Sequence, residues 1–158
     1  MIHEEIVDLM AQARAGSSWM GLDLGTKTIG VAVSDRLLSS ATPLHTIKRV
    51  KFSKDAEALL EVIENREIGA IILGLPRNMD GSEGPRCQST RAFGRNLASL
   101  TDLPIGYWDE RLSTVAAERA LLEADTSRKR RAEVIDHVAA GYILQGALDR
   151  ARHIRTVG

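Results

Sequence analysis

The run Ala70-Ile71-Ile72-Leu73 is apolar without interruption. An extended segment with no polar face has to be covered on both sides, as strands are in the middle of a layered α/β sheet. The composition supports such a core: 44% of the 158 residues are hydrophobic and 27% charged, which excludes disorder as the main state. The length suits one domain. We divide the chain into an N-terminal helical extension, residues 1–18, and a main domain, residues 19–158.

The surrounding pattern predicts the order of elements. Ile2, Ile6, Leu9, Met10 and Ala13 form one helical stripe ended by Gly16, an amphipathic helix expected to pack on its own domain or on a second copy. From Trp19 the period changes to two: Met20, Leu22 and Leu24 alternate with Gly21, Asp23 and Gly25. Ile29, Val31 and Val33 repeat it after a Gly25-Thr26-Lys27 turn, which predicts an antiparallel hairpin, and Pro43 to Arg49 adds a third strand. Ser53 is placed to cap a helix carrying Ala56, Leu59, Leu60 and Ile63. After the apolar strand, residues 74–86 hold three glycines and two prolines and read as a long loop. Thr90, Phe93, Leu97 and Leu100 mark a helix, Pro104 to Trp108 a strand, Ser113 or Thr114 the cap of a helix reaching Glu123, and 132–150 the last helix. The expectation is a mixed five-stranded sheet, three antiparallel strands then parallel additions, flanked by helices.

Three carboxylates sit oddly in this pattern. Asp23 lies within an apolar strand, with glycines two residues away on either side. Glu110 follows a strand at the carboxyl edge, where open α/β sheets place ligands. Asp136 stands near the start of a helix whose next turns are apolar or small. Each alone has an ordinary structural reading, as a turn cap, a solvated loop acid and a first-turn acid. If the fold joins them, two carboxylates about 5 Å apart repel by roughly 3 kcal/mol at an effective dielectric near 20, so the trio needs a cation. An all-carboxylate set suits Mg²⁺ or Mn²⁺ and is poorly suited to zinc; two such ions can activate a water and stabilise the leaving oxygen of a phosphodiester.

The segments Gly21-Leu22-Asp23-Leu24-Gly25-Thr26-Lys27-Thr28-Ile29-Gly30-Val31-Ala32, GLPRNMDGSEGP, Asp109-Glu110-Arg111-Leu112-Ser113-Thr114 and Val134-Ile135-Asp136-His137-Val138-Ala139-Ala140 together resemble the YqgF-type, Holliday junction resolvase-like pre-16S rRNA nucleases, in order from about 20 to 150. The resemblance implies a ribonuclease H-like fold and three metal-binding catalytic acids at Asp23, Glu110 and Asp136. It also implies metal-dependent phosphodiester hydrolysis, above all at the 5′ end of the small-subunit rRNA precursor. His137 is one residue from Asp136, about 100° away around the helix, and is read as structural. Residues 1–18 lie outside the family pattern.

For the substrate, the basic run Arg128-Lys129-Arg130-Arg131 precedes Asp136; Lys129 and Arg130, with Lys27 and Arg111 beside the other acids, are candidate phosphate contacts. Ser113 and Thr114 are candidates that helix capping explains equally well. The 21 basic residues balance the 21 acidic ones, so attraction for an anionic polymer must be local. Few aromatics argue for recognition of structured RNA, or branched DNA, through backbone and shape. A junction-cutting DNA endonuclease, which would need a homodimer, and a non-catalytic assembly factor are the alternatives. The segment DLGTKTIG also resembles the phosphate-binding hairpin of the actin, sugar-kinase and heat-shock ATPases, but 158 residues cannot supply two lobes. No apolar run spans a membrane, the N-terminus is not an export signal, and the single Cys87 fits the cytoplasm.

Overall fold

Alternation along the strands decides which helices cover which face. The computed structural model describes the backbone of residues 1–112 and 128–157, and side chains over 1–112 and 137–157. Strand β2, Ser18–Leu24, turns at Gly25 into β3, Thr28–Ser34, and β4, Ala41–Lys48, completes an antiparallel meander. β5, Ile68–Leu75, lies parallel to β2, and β6, Ile105–Asp109, parallel to β5. Every residue of β2 and β5 is buried. The even-numbered β2 side chains Met20, Leu22 and Leu24, with Ile71, Leu73 and Leu75 of β5, pack on helices α2, Phe52–Asn65, and α3, Pro85–Ala98. Trp19, Ala70 and Ile72 face the other way, toward α1, Ile6–Gln12, and the 30-residue α4, Arg128–Val157.

The five expected strands are joined by a sixth. Ile2–His3, expected to begin the N-terminal helix, forms β1 and pairs parallel with β6, Ile2 opposite Ile105, giving the order β1-β6-β5-β2-β3-β4. An open edge beside a buried strand leaves backbone groups to satisfy, and the Ile105 N–H donates to Met1 O at 2.8 Å. The amphipathic stripe then begins at Ile6, and Ile6 and Leu9 are buried.

Other boundaries differ for local reasons. Ser53 lies inside α2, whose N-cap is Lys51; the entry is held by Asp55, which accepts the Val50 N–H at 3.1 Å. The long loop shrinks to residues 76–84, because Pro85 starts α3 at a position where its missing N–H costs nothing. Leu100 falls beyond α3 and is exposed. The basic run expected ahead of the last helix lies within it, as suits good helix formers. The helix expected from Ser113 or Thr114 to Glu123 lies outside the described residues.

Candidate active site

Close packing of α4 on the sheet creates the site's floor. A Cβ at Gly21 would stand 2.6 Å from Leu144 Cβ and 3.0 Å from Ala140 O, so only glycine lets β2 and the helix approach this closely. Asp23 is the next β2 residue on that face, 4% exposed, at the point where the strand leaves the sheet. It pairs with Gly30, which pairs with Thr46, so its neighbours toward β4 are a bare backbone and a hydroxyl.

Glu110 arrives from the other side. It opens the 3-10 turn Glu110–Leu112 directly after β6, and its Oε1 lies 2.8 Å from where Gly74 would carry a Cβ. Gly74 pairs with Trp108 on β6. On β5 it stands one residue past Leu73, and Leu73 pairs with Leu22, the residue before Asp23. Adjacent strands run about 4.8 Å apart, so Asp23 and the Glu110 carboxylate occupy neighbouring strand ends on the α4 face.

Position 136 is on α4, four residues before Ala140 and seven before Ile143, the helix positions that close on Gly21 and Gly74. The Asp136 side chain, like those of Lys129 and Arg130, lies outside the described residues, as do Ser113 and Thr114 entirely. Among the described residues no group of three His, Cys, Asp or Glu side chains is placed to hold a metal. His137 Nδ1 is 3.0 Å from Thr46 Oγ1, a contact that ties α4 to β4.

The cations are arranged unevenly. Lys27 is exposed on the β2–β3 turn. Arg111 is engaged: Nε and Nη2 clamp Asp109 at 2.7 to 3.1 Å, and Nη1 donates to Met79 O at 3.3 Å. That clamp holds the Asp109 carboxyl below its usual range and the Arg111 guanidinium above its own, and the separate bond to Met79 O fastens the 76–84 loop to the 3-10 turn. The loop's far end is tied by Glu83, which pairs with Arg91 at 2.7 Å and Arg77 at 3.4 Å. Arg49, which the sequence pattern does not single out, donates to Gly25 O at 2.6 Å, and Arg86 donates to Leu24 O at 3.3 Å. The signal for Arg49 is in the strand register, since its N–H bonds Lys27 O.

Two hard-oxygen donors, from different strand ends at one edge of the sheet, fit Mg²⁺ or Mn²⁺. A family model described as RuvX, Holliday junction resolvase, matches residues 17–150. The chain belongs to that family. A relative from Ruegeria sp. (strain TM1040), named "Putative pre-16S rRNA nuclease", is 72% identical to this RuvX-family chain, with 99% of each covered. One of the same name from Roseobacter denitrificans is 70% identical, over 98% of this chain and 96% of its own length. Among solved structures, Thermus thermophilus RuvC in complex with Holliday junction substrate superposes with TM-score 0.51 at 17% identity, covering 89% of this chain and 96% of that one. The shared architecture is the ribonuclease H-like fold. No described helix of the RuvX-family chain is long and apolar enough to cross a membrane.

Proposed function

We propose that this protein is a metal-dependent endonuclease that matures the 5′ end of precursor 16S rRNA in the cytoplasm. The observation that carries the reading is the pair of carboxylates, Asp23 and Glu110, brought from distant segments to one sheet edge in a chain whose close relatives bear a pre-16S rRNA nuclease name. Asp23, Glu110 and Asp136 would hold two Mg²⁺ or Mn²⁺ ions. Such ions, when bound, lower the pKa of water and neutralise charge on a phosphodiester. The chain's own part is to fix the geometry: burial and the glycine-lined floor hold Asp23, and the turn after β6 aims Glu110 across Gly74.

Lys27, Lys129 and Arg130 are the proposed phosphate contacts, with Ser113 and Thr114 beside them. For Arg111 the clamp on Asp109 supports a loop-holding part, with substrate contact through the donors that remain. In the N-terminal extension, residues 1–18, the outward side of α1 with exposed Val7 is proposed as a surface for a second copy, its inner side being buried at Ile6 and Leu9.

The test is side-by-side digestion of a precursor rRNA fragment and a four-way DNA junction with Mg²⁺ or Mn²⁺, using wild type, Asp23→Asn and Asp136→Asn. Removing a carboxylate that would hold the metal should cost several kcal/mol of transition-state stabilisation, about a 1,000-fold loss of rate or more, with the melting temperature little changed. Undiminished cutting by Asp23→Asn would remove the metal-site reading. Cutting of the junction alone would replace RNA maturation by junction resolution.

A further inference from the structure

The turn that follows Asp23 has a second side. Asp23 faces α4, whereas Leu24 faces α2 and α3, and there the edge of the sheet opens into a cavity of about 560 Å³. Its wall holds three cationic side chains, Arg49, Lys51 and Arg86, and one carboxylate, Asp55, which is buried and already accepts the Val50 N–H. In a chain with no net charge, such a local excess is what draws a polyanion to one place.

The cations are built in as well as present. Arg49 and Arg86 each donate one N–H to the turn, at Gly25 O and Leu24 O, and Arg49 also lies 3.9 Å from Asp55 and over the Phe93 ring. A guanidinium carries five N–H donors, so these bonds fix the two forks and leave donors for an acceptor in the cavity. Lys51 and Pro85, at the starts of α2 and α3, both line the cavity, so the positive ends of two 14-residue helices add to the same field. Gly25 in the wall is two residues from Asp23, at most about 7 Å along an extended chain.

We propose that this cavity binds a backbone phosphate of the nucleic-acid strand, flanking the phosphodiester at the Asp23 edge, with Arg49, Lys51 and Arg86 as its ligands. The proposal rests on the nuclease reading for its choice of a polynucleotide over a small anion. The strand crosses the β2–β3 turn with one phosphate on each side of it.

Binding of a fluorescein-labelled 12-nucleotide single-stranded RNA, followed by anisotropy in EDTA between 50 and 200 mM salt, tests this without any cleavage. Arg86→Gln and Lys51→Gln should each weaken binding severalfold and flatten the slope of log Kd against log salt by about 0.7, the value for one lost phosphate contact on a single strand. Arg36→Gln, on an exposed pair with Glu67 away from the cavity, should leave the slope alone. Lys51 is exposed and Lys51→Gln removes no cap bond, so the test survives if Arg86→Gln folds poorly. Slopes like wild type in both variants would overturn the proposal, as would inorganic phosphate at millimolar level stabilising the protein as strongly as the RNA, which would mark a free-anion site. A protein that binds with the expected slopes but never cuts would sink the nuclease reading alone; one that cuts while both variants keep the wild-type slope would sink the cavity alone.

Discussion

Replacing Gly74 by alanine presses on two side-chain ends, the Glu110 carboxylate and Ile143. The new methyl would stand 2.8 Å from Glu110 Oε1 and 2.4 Å from Ile143 Cδ1, against an ordinary contact of 3.4 Å or more, so the carboxylate must withdraw by roughly 0.6 Å. Both clashing atoms are the ends of flexible side chains, which limits the loss of stability to about 1–3 kcal/mol, the usual range for an added methyl in a packed site. Catalysis tolerates less: constellations need placement within about 0.5 Å, and a 1 Å error costs about 100-fold. Single-turnover cleavage of a precursor rRNA fragment should therefore slow about 10- to 100-fold in Gly74→Ala. Gly94→Ala is the matched control. Its methyl would meet Tyr107 Oη at 2.7 Å and Leu73 Cδ1 at 3.1 Å, a similar clash on the opposite face of the sheet. It should cost comparable stability in urea denaturation while cutting at the wild-type rate. Equal cleavage by the two variants would refute the argument that Gly74 is bare because Glu110 needs the space.

Two further outcomes follow from the edges of the domain. Leu9 is fully buried, with its Cδ1 2.6 Å from the Cβ position at Gly106, so Leu9→Ala should lose about 2–5 kcal/mol in urea denaturation; a loss under about 1 kcal/mol would mean that the N-terminal segment is not part of the core. Arg91 bonds Glu83 and Glu4, and the bond from Arg91 holds the Glu83 carboxyl below its ordinary 4.5. A carboxyl depressed in the folded state stabilises above its unfolded value and loses that contribution as pH falls through the folded one. Arg91→Met should thus lower the melting temperature at neutral pH and flatten its decline from about pH 5 downward, and parallel wild-type and variant curves would contradict the assignment.

The parts of the fold legible in the sequence were those governed by periodicity. Alternation separated Met20, Leu22 and Leu24 from Gly21 and Asp23, and the helix pattern located α2 and α3. The sixth strand was not legible, because Ile2 and His3 are too few to set a period and their strand conformation depends on an edge that only β6 provides. The entry to α2 differs from the Ser53 reading because the approach to the helix is held by Asp55, which accepts the Val50 N–H from within the first turn. At the site, Asp23 and Glu110 stood out as charges beside glycine or at a strand end. Arg49 did not, since its value comes from a register that places the end of β4 against the β2–β3 turn. Arg111 was legible as a charge beside Glu110, but its engagement with Asp109 and Met79 depends on the return of a distant loop.

In the proposed reading α4 carries both a core face and a site acid on one rod. Ala139, Ala140, Ile143, Leu144, Ala147, Leu148 and Ala151 are all buried, and position 136 continues the same rod by one turn. A drift of that position relative to Asp23 would need the whole row to lift from the sheet together, which is a motion close to global unfolding in scale. Heating should therefore silence the edge and melt the interior within the same narrow interval, with no warm state that is folded yet misaligned.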